Sequence, residues 1–237
     1  MGRGTLLDLH QGTGGDRDME HDGGARGRPP MSDQERRRLR LAVSRAAVHL
    51  FREHGVAETS GERIAAAVGM SSRTLWRYFR SKEACVEPLL TQSVEAFTAA
   101  LASWPRDRSL PDHLEADYRL PADASADDVR AVFDIVRMTR DDLALRAVWL
   151  VLHQRVEPAI ADALAARTGR DAGDLEVRVQ AATLNAALRV ATEDLAGHVA
   201  AGDPGSLGTR RHLLATAVRV ATRGLEPVGR IEVPLET

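Results

Sequence analysis

Residues 55–84 read GVAETSGERIAAAVGMSSRTLWRYFRSKEA, and the positions of the small residues in that run decide the fold. Counting from Gly61, the small Ala65 falls fifth, Gly69 ninth and Leu75 fifteenth. A helix-turn-helix needs a close helix contact, a permissive turn and a buried aliphatic residue at those places. Thr59 and Glu62 have capping-box spacing for a helix of about two turns that ends at Gly69. Ser71 is placed to cap a second short helix running to about Arg77. Upstream, Leu39, Leu41, Val43, Ala46, Ala47, Leu50 and Phe51 recur at helical spacing before Gly55, which predicts a first helix from about residue 34.

The second half of the run, SSRTLWRYFRSK over residues 71–82, gathers four basic side chains and three aromatics with no carboxylate. A charge cluster is ordinarily a solvated helix face. The missing carboxylates and the complete turn register point instead to a surface that meets a polyanion. The chain as a whole has a formal net charge of −2, but that total hides a polarity. Residues 26–82 hold 13 Arg/Lys against 5 Asp/Glu, whereas residues 83–237 hold 17 against 24. A basic block on an acidic body suits a protein with one part for nucleic acid and another that avoids it.

With helix 1 ahead of it, this stretch resembles the DNA-binding domain of TetR-family transcriptional regulators. Their pattern runs roughly G-x-x-x-T-[ST]-V-x-x-I-A-x-x-A-G-V-S-x-x-T-[apolar]-Y-x-[YH]-F-x-[SN]-K-E. The R-Y-F run is similar to a branch like the mycofactocin-system regulator, associated with acyl-CoA-like ligands. The resemblance implies double-stranded DNA as partner, with contacts from Thr59, Ser60, Ser71, Ser72, Arg73, Thr74, Trp76, Arg77, Tyr78 and Lys82. Arginine is best able to fork onto guanine. Lys82, the single lysine beside 31 arginines, stands where the family grips phosphate. Three positions depart from the pattern. Gly61 replaces an apolar residue, which weakens helix 2 by up to about 1 kcal/mol. Trp76 replaces a tyrosine, and Cys85 an aliphatic residue.

The expected architecture is all-α: an N-terminal three-helix helix-turn-helix domain plus a larger C-terminal helical domain for ligand binding and dimerisation. The expected divisions are a disordered arm over 1–31, the DNA-binding domain over 32–81, the helical body over 82–226 and a tail over 227–237. Met31 could serve as the natural start. A helix from Lys82 to Trp104 is expected to kink at Pro88. A proline-broken loop with one short helix follows, then amphipathic helices over 126–140, 142–167 (interrupted at Pro158), 172–201 and 206–224. The resemblance implies a two-fold homodimer through the last two, with Ala182, Ala186, Val190, Leu213, Leu214, Ala217, Val218 and Ala221 on their apolar faces, and hence a palindromic operator.

For the effector pocket, polar or aromatic residues on apolar helices are the candidates: Phe97, Trp104, Phe133, Trp149 and Asn185, with Arg137, His153 or Arg189 to meet a carboxylate or phosphate. Within the arm, ARGRPP at 25–30 resembles an AT-hook core, suited to an A/T-rich minor groove. One cysteine allows no internal disulfide, and no signal-like block or roughly 18-residue apolar run occurs, so a cytoplasmic protein without membrane contact is expected. Two rival classes lack their signatures in these residues. A carboxylate-bridged helical enzyme needs Glu-x-x-His pairs, and no histidine has a glutamate three residues before it. HExxH and Walker patterns are missing too, so no enzyme activity, metal or cofactor is expected. A helix-turn-helix used only for protein contact would have lost its phosphate-facing cations, and these remain.

Overall fold

Upstream of Gly55 the helical periodicity gives α1, Asp33–His54, with Asp33 and Glu35 in its first turn and Arg52 and His54 in its last, each complementing the helix dipole. Leu41, Val43, Ala47, Val48 and Phe51 form its buried stripe. Gly55 adopts φ 81°, a left-handed conformation that releases the chain from the helix with little strain. The computed structural model describes residues 31–122, 124–200 and 207–223. The arm with its ARGRPP run and the tail over 227–237 lie outside the described residues.

Helix α2 spans Gly61–Ala67 and α3 spans Ser72–Tyr78. Gly69, at φ 68°, makes the turn between them. Ser71 caps α3 as expected, accepting the Thr74 amide. The cap of α2 differs from expectation by one residue. Ser60 accepts the Arg63 amide, while Thr59 is buried and donates its hydroxyl to the carbonyls of Gly55 (2.8 Å) and Leu50 (3.3 Å). A threonine facing the end of α1 satisfies two carbonyls there, which leaves the solvent-side cap to the serine beside it.

A 3₁₀ turn, Glu83–Val86, leads into α4, Glu87–Ala102. No kinked helix from Lys82 forms, because Pro88 lies in the first turn of α4, where its missing N–H costs no intrahelical bond. Helix α5, Leu110–Asp117, is the short helix of the proline-rich stretch, capped by Ser109. A full capping box, Ser125 with Asp128, starts α6, Ala126–Met138. Helix α7, Leu143–Thr168, runs through Pro158 without interruption. Buried Trp149 and Leu152 before the proline, and Ile160 and Leu164 after it, hold both halves against the core. Helices α8, Leu175–Ala200, and α9, Leu207–Thr222, complete the described chain.

Among the described residues there are nine α-helices and no strand, so the fold is all-α. Helix α4 is central to the body and packs on α7, α6, α5 and α1; α8 packs on α6, α7 and α9. Helix α1 serves both regions, since it also supports α2. No described helix is long and apolar enough to cross a membrane.

Candidate nucleic-acid interface

Helix α3 is fixed by the side chains it buries. Leu75 is fully enclosed and Phe79, just past the helix end, is nearly so. From α1, Arg40 donates to the Tyr78 carbonyl (3.1 Å) and lies over the Phe79 ring, 4.8 Å from its centroid. One guanidinium thus closes the C-terminus of α3 and stacks on its anchor. The opposite face is open. Arg73, Trp76, Arg77 and Arg80 are exposed, Ser72, Thr74 and Tyr78 are half-buried, and the exposed Ser71 hydroxyl is shared with Thr74 (2.9 Å). Arg73 makes no hydrogen bond or ion pair with any described residue. Arg77 only rests near the Tyr78 ring, at 5.3 Å. These cations are therefore free to meet an external anion.

Two sequence-selected residues have a different role. Thr59, expected to contact DNA, is buried with its hydroxyl committed to α1. Lys82, expected to grip phosphate, points its ammonium into the loop between α1 and α2. Its Nζ donates to the carbonyls of Val56 (2.6 Å), Ala57 (3.2 Å) and Thr59 (2.9 Å). An ammonium has three donors, and all three are used. The lone lysine is explained by geometry, since a planar guanidinium cannot cap three converging carbonyls from one point.

The departures at Gly61 and Trp76 are one feature. A Cβ on Gly61 would lie 2.1 Å from Cζ2 and 2.3 Å from Cη2 of Trp76. The indole lies against the start of α2 in space that only glycine leaves open. Cys85 is buried, and burial, with Glu83 nearby, pushes its thiol up to about 12, so it is a packing residue and not a reactive one.

Polar links tie this region to the body. Arg45 of α1 donates from Nε and Nη2 to the two oxygens of Asp128 on α6 (2.6 and 2.8 Å). Two turns further along α1, Arg52 pairs with Asp134 (3.3 Å). The Arg45 guanidinium, aided by Ser125, holds the Asp128 carboxyl below its ordinary value.

The pocket candidates separate into groups. Phe97 is core. Trp104 donates its indole N–H to the Arg108 carbonyl (2.7 Å), lies under the Arg167 guanidinium at 3.5 Å, and borders a groove of about 540 Å³ with Leu110, Leu164, Val179 and Leu184. Arg137 is engaged with Asp134 (2.8 Å). Trp149, His153, Asn185 and Arg189 lie where α7 meets α8. His153 Nδ1 and Asn185 Oδ1 are 2.7 Å apart, Asn185 donates to the His153 carbonyl, and Trp149 and Arg189 both donate to Glu193. Burial lowers the pKa of His153, so its imidazole is neutral near pH 7. Phe133 alone of the candidates borders the internal void described below. Its neighbour Arg210 escaped the sequence reading, although the register Arg210, Leu214, Val218 puts an arginine on the apolar face of α9.

Residues 44–89 match the family of bacterial regulatory proteins called tetR. The chain is similar to the HTH-type transcriptional regulator TcmR of Streptomyces glaucescens, with 29% identity over 152 residues, 62% of this chain and 67% of that protein. Among solved structures, it is similar to Thermus thermophilus FadR, a TetR-family transcriptional repressor in complex with lauroyl-CoA (22% identity, TM-score 0.48, 82% of this chain and 98% of that one). It is also similar to the fatty acid degradation regulator FadR of Bacillus halodurans (17%, TM-score 0.44, 76% and 96%). The match over residues 44–89 covers the helix-turn-helix built around α3, so that part of the chain is similar to the DNA-binding region of tetR-family regulatory proteins.

Proposed function

We propose that the protein is a repressor that binds a palindromic operator as a homodimer and is released when a small amphipathic molecule enters its helical body. The observation that carries this reading is the open face of α3 and the residues just past it, where Arg73, Arg77 and Arg80 are exposed and no carboxylate interrupts them. In this reading Arg73 and Arg77 reach base edges, while Ser60, Ser71, Ser72, Thr74, Trp76 and Tyr78 line the phosphates and the groove wall. Lys82 and Thr59 act indirectly, by holding the loop that sets α2 against α1.

The homodimer is supported by an apolar stripe on α8, where Leu175 (74% exposed), Val179 (55%), Ala186 and Val190 (51%) face outward, and by Val220 (64%) on α9. Such a stripe favours burial against a second copy. Leu214 and Val218 do not belong to it, since both are buried in their own subunit; α9 turns that side inward and keeps Leu213, Ala217 and Ala221 at the edge. Release follows from the Arg45–Asp128 and Arg52–Asp134 pairs. A ligand that displaces α6 shifts α1, and α1 carries the reading helix, so occupied and empty bodies favour different head positions. An acyl-CoA-like effector is the ligand class that the resemblance suggests.

A gel-shift titration of DNA from upstream of the coding region tests both halves. Retardation at low salt that is reversed by an amphipathic ligand is expected. Failure to retard any upstream fragment would refute the DNA-binding half, and retardation that no amphipath reverses would refute the effector half.

A further inference from the structure

Helix α9 packs into the body along Arg210, Leu214 and Val218, and all three are buried. Leucine and valine suit that position, but a guanidinium withdrawn from water needs a counter-charge. Arg210 has none. Its guanidinium lies 4.7 Å from the centroid of Phe133 and beside the buried Tyr118 phenol, Nη2 has no hydrogen-bond partner, and no carboxylate of a described residue forms an ion pair with it. Burial pulls its pKa below the ordinary arginine value.

Two voids meet at this side chain. One of about 20 Å³ is walled by Phe133, Leu188, Leu195 and Leu214, and one of about 10 Å³ by Leu89, Val129, Val132 and Gln92. Gln92 is also buried, and its Nε2 is unpartnered. Asp128 borders the smaller void, but Arg45 holds both its oxygens and the Ser125 amide shares one. Two buried donors with open N–H groups therefore face a space otherwise walled mainly by hydrocarbon, an arrangement suited to holding an anion on an apolar body.

We infer that Arg210, with Gln92, is the anchoring end of the effector site, and that the effector is an apolar molecule bearing an anionic group. This rests on the ligand-responsive reading above and adds the chemical class. Each void has room for little more than one water, so entry parts the helices around it. Among these is α6, which carries Asp128 and Asp134, the partners of α1.

The test compares melting of the full-length protein with octanoate, 1-naphthoate and octanoyl-CoA against octanamide and 1-naphthamide. An acid should raise the melting temperature by about 5 °C near saturation, and its amide should not. Octanoyl-CoA acting alone would identify phosphate as the source of the anion. Arg210→Met, which keeps the apolar volume, should melt no lower than wild type without ligand and bind the acid at least about tenfold more weakly. Equal effects of acid and amide on wild type, no effect of any anion, or an unchanged acid response in Arg210→Met would each overturn the inference. Arg210→Met should still retard upstream DNA, so failure of DNA binding in wild type is a separate result.

Discussion

An ammonium and a guanidinium carry the same charge but differ in shape, and Lys82 occupies a place where shape decides. Its three N–H donors end on three loop carbonyls. Lys82→Arg should therefore behave much like Lys82→Ala, each losing about 2 kcal/mol of stability and melting roughly 5 °C lower. Full stability of Lys82→Arg in thermal melts would disprove the shape argument. Gly61 and Trp76 make a second residue-scale case. Gly61→Ala should destabilise by about 1–3 kcal/mol through overpacking against the indole, and Trp76→Tyr should recover most of that loss. A denaturation double-mutant cycle with no coupling between the two sites would contradict the contact. The sequence marked all three positions as exceptional. It could not show where Lys82 points, because carbonyl and phosphate oxygens attract the same ammonium, and it could not pair two departures that lie 15 residues apart on different helices.

At the scale of elements, helical periodicity and turn glycines marked the helices on either side of the proline-rich stretch, since these signals are local, while α5 within that stretch was expected only as one short helix without a position. The errors came where local signals competed. Thr59 and Ser60 both suit an N-cap, and contact with α1 decides between them. Pro88 and Pro158 both read as helix breakers, yet one begins a helix and the other is carried within one by packing on either side. The Arg45–Asp128 link between α1 and α6 spans 83 residues and has no local signature at all. Its effect can be read from pH. The folded Asp128 carboxyl lies below its unfolded value of about 3.9, so it contributes stability that is present above about pH 4 and disappears as pH falls through the folded value. Asp128→Asn should lower the melting temperature at pH 7 and flatten its acid dependence. An unchanged melting profile from neutral to acid pH would show that the pair does not join the two helices.

The whole molecule divides its charge, with the cations of the head facing outward and the acidic body bearing an apolar stripe along α8. If the proposed dimer forms through α8, Val190→Asp should leave the fold intact, give monomers in sedimentation experiments and weaken operator binding, because one head would read only half of the proposed palindrome. A stable dimer carrying that substitution would place the two-fold contact elsewhere. The sequence displayed the basic head plainly, since its motif is contiguous. The proposed effector site was largely hidden, because its candidate anchors, Arg210 and Gln92, come from helices far apart in the chain. Everything proposed for DNA depends on the open face of α3 entering the major groove. Binding of Arg73→Ala to the operator and to random DNA, measured across a salt series, tests that most directly. Loss of about 1–3 kcal/mol on the operator alone is expected, with random binding changed only slightly. Equal losses on both DNAs, or none on either, would contradict it.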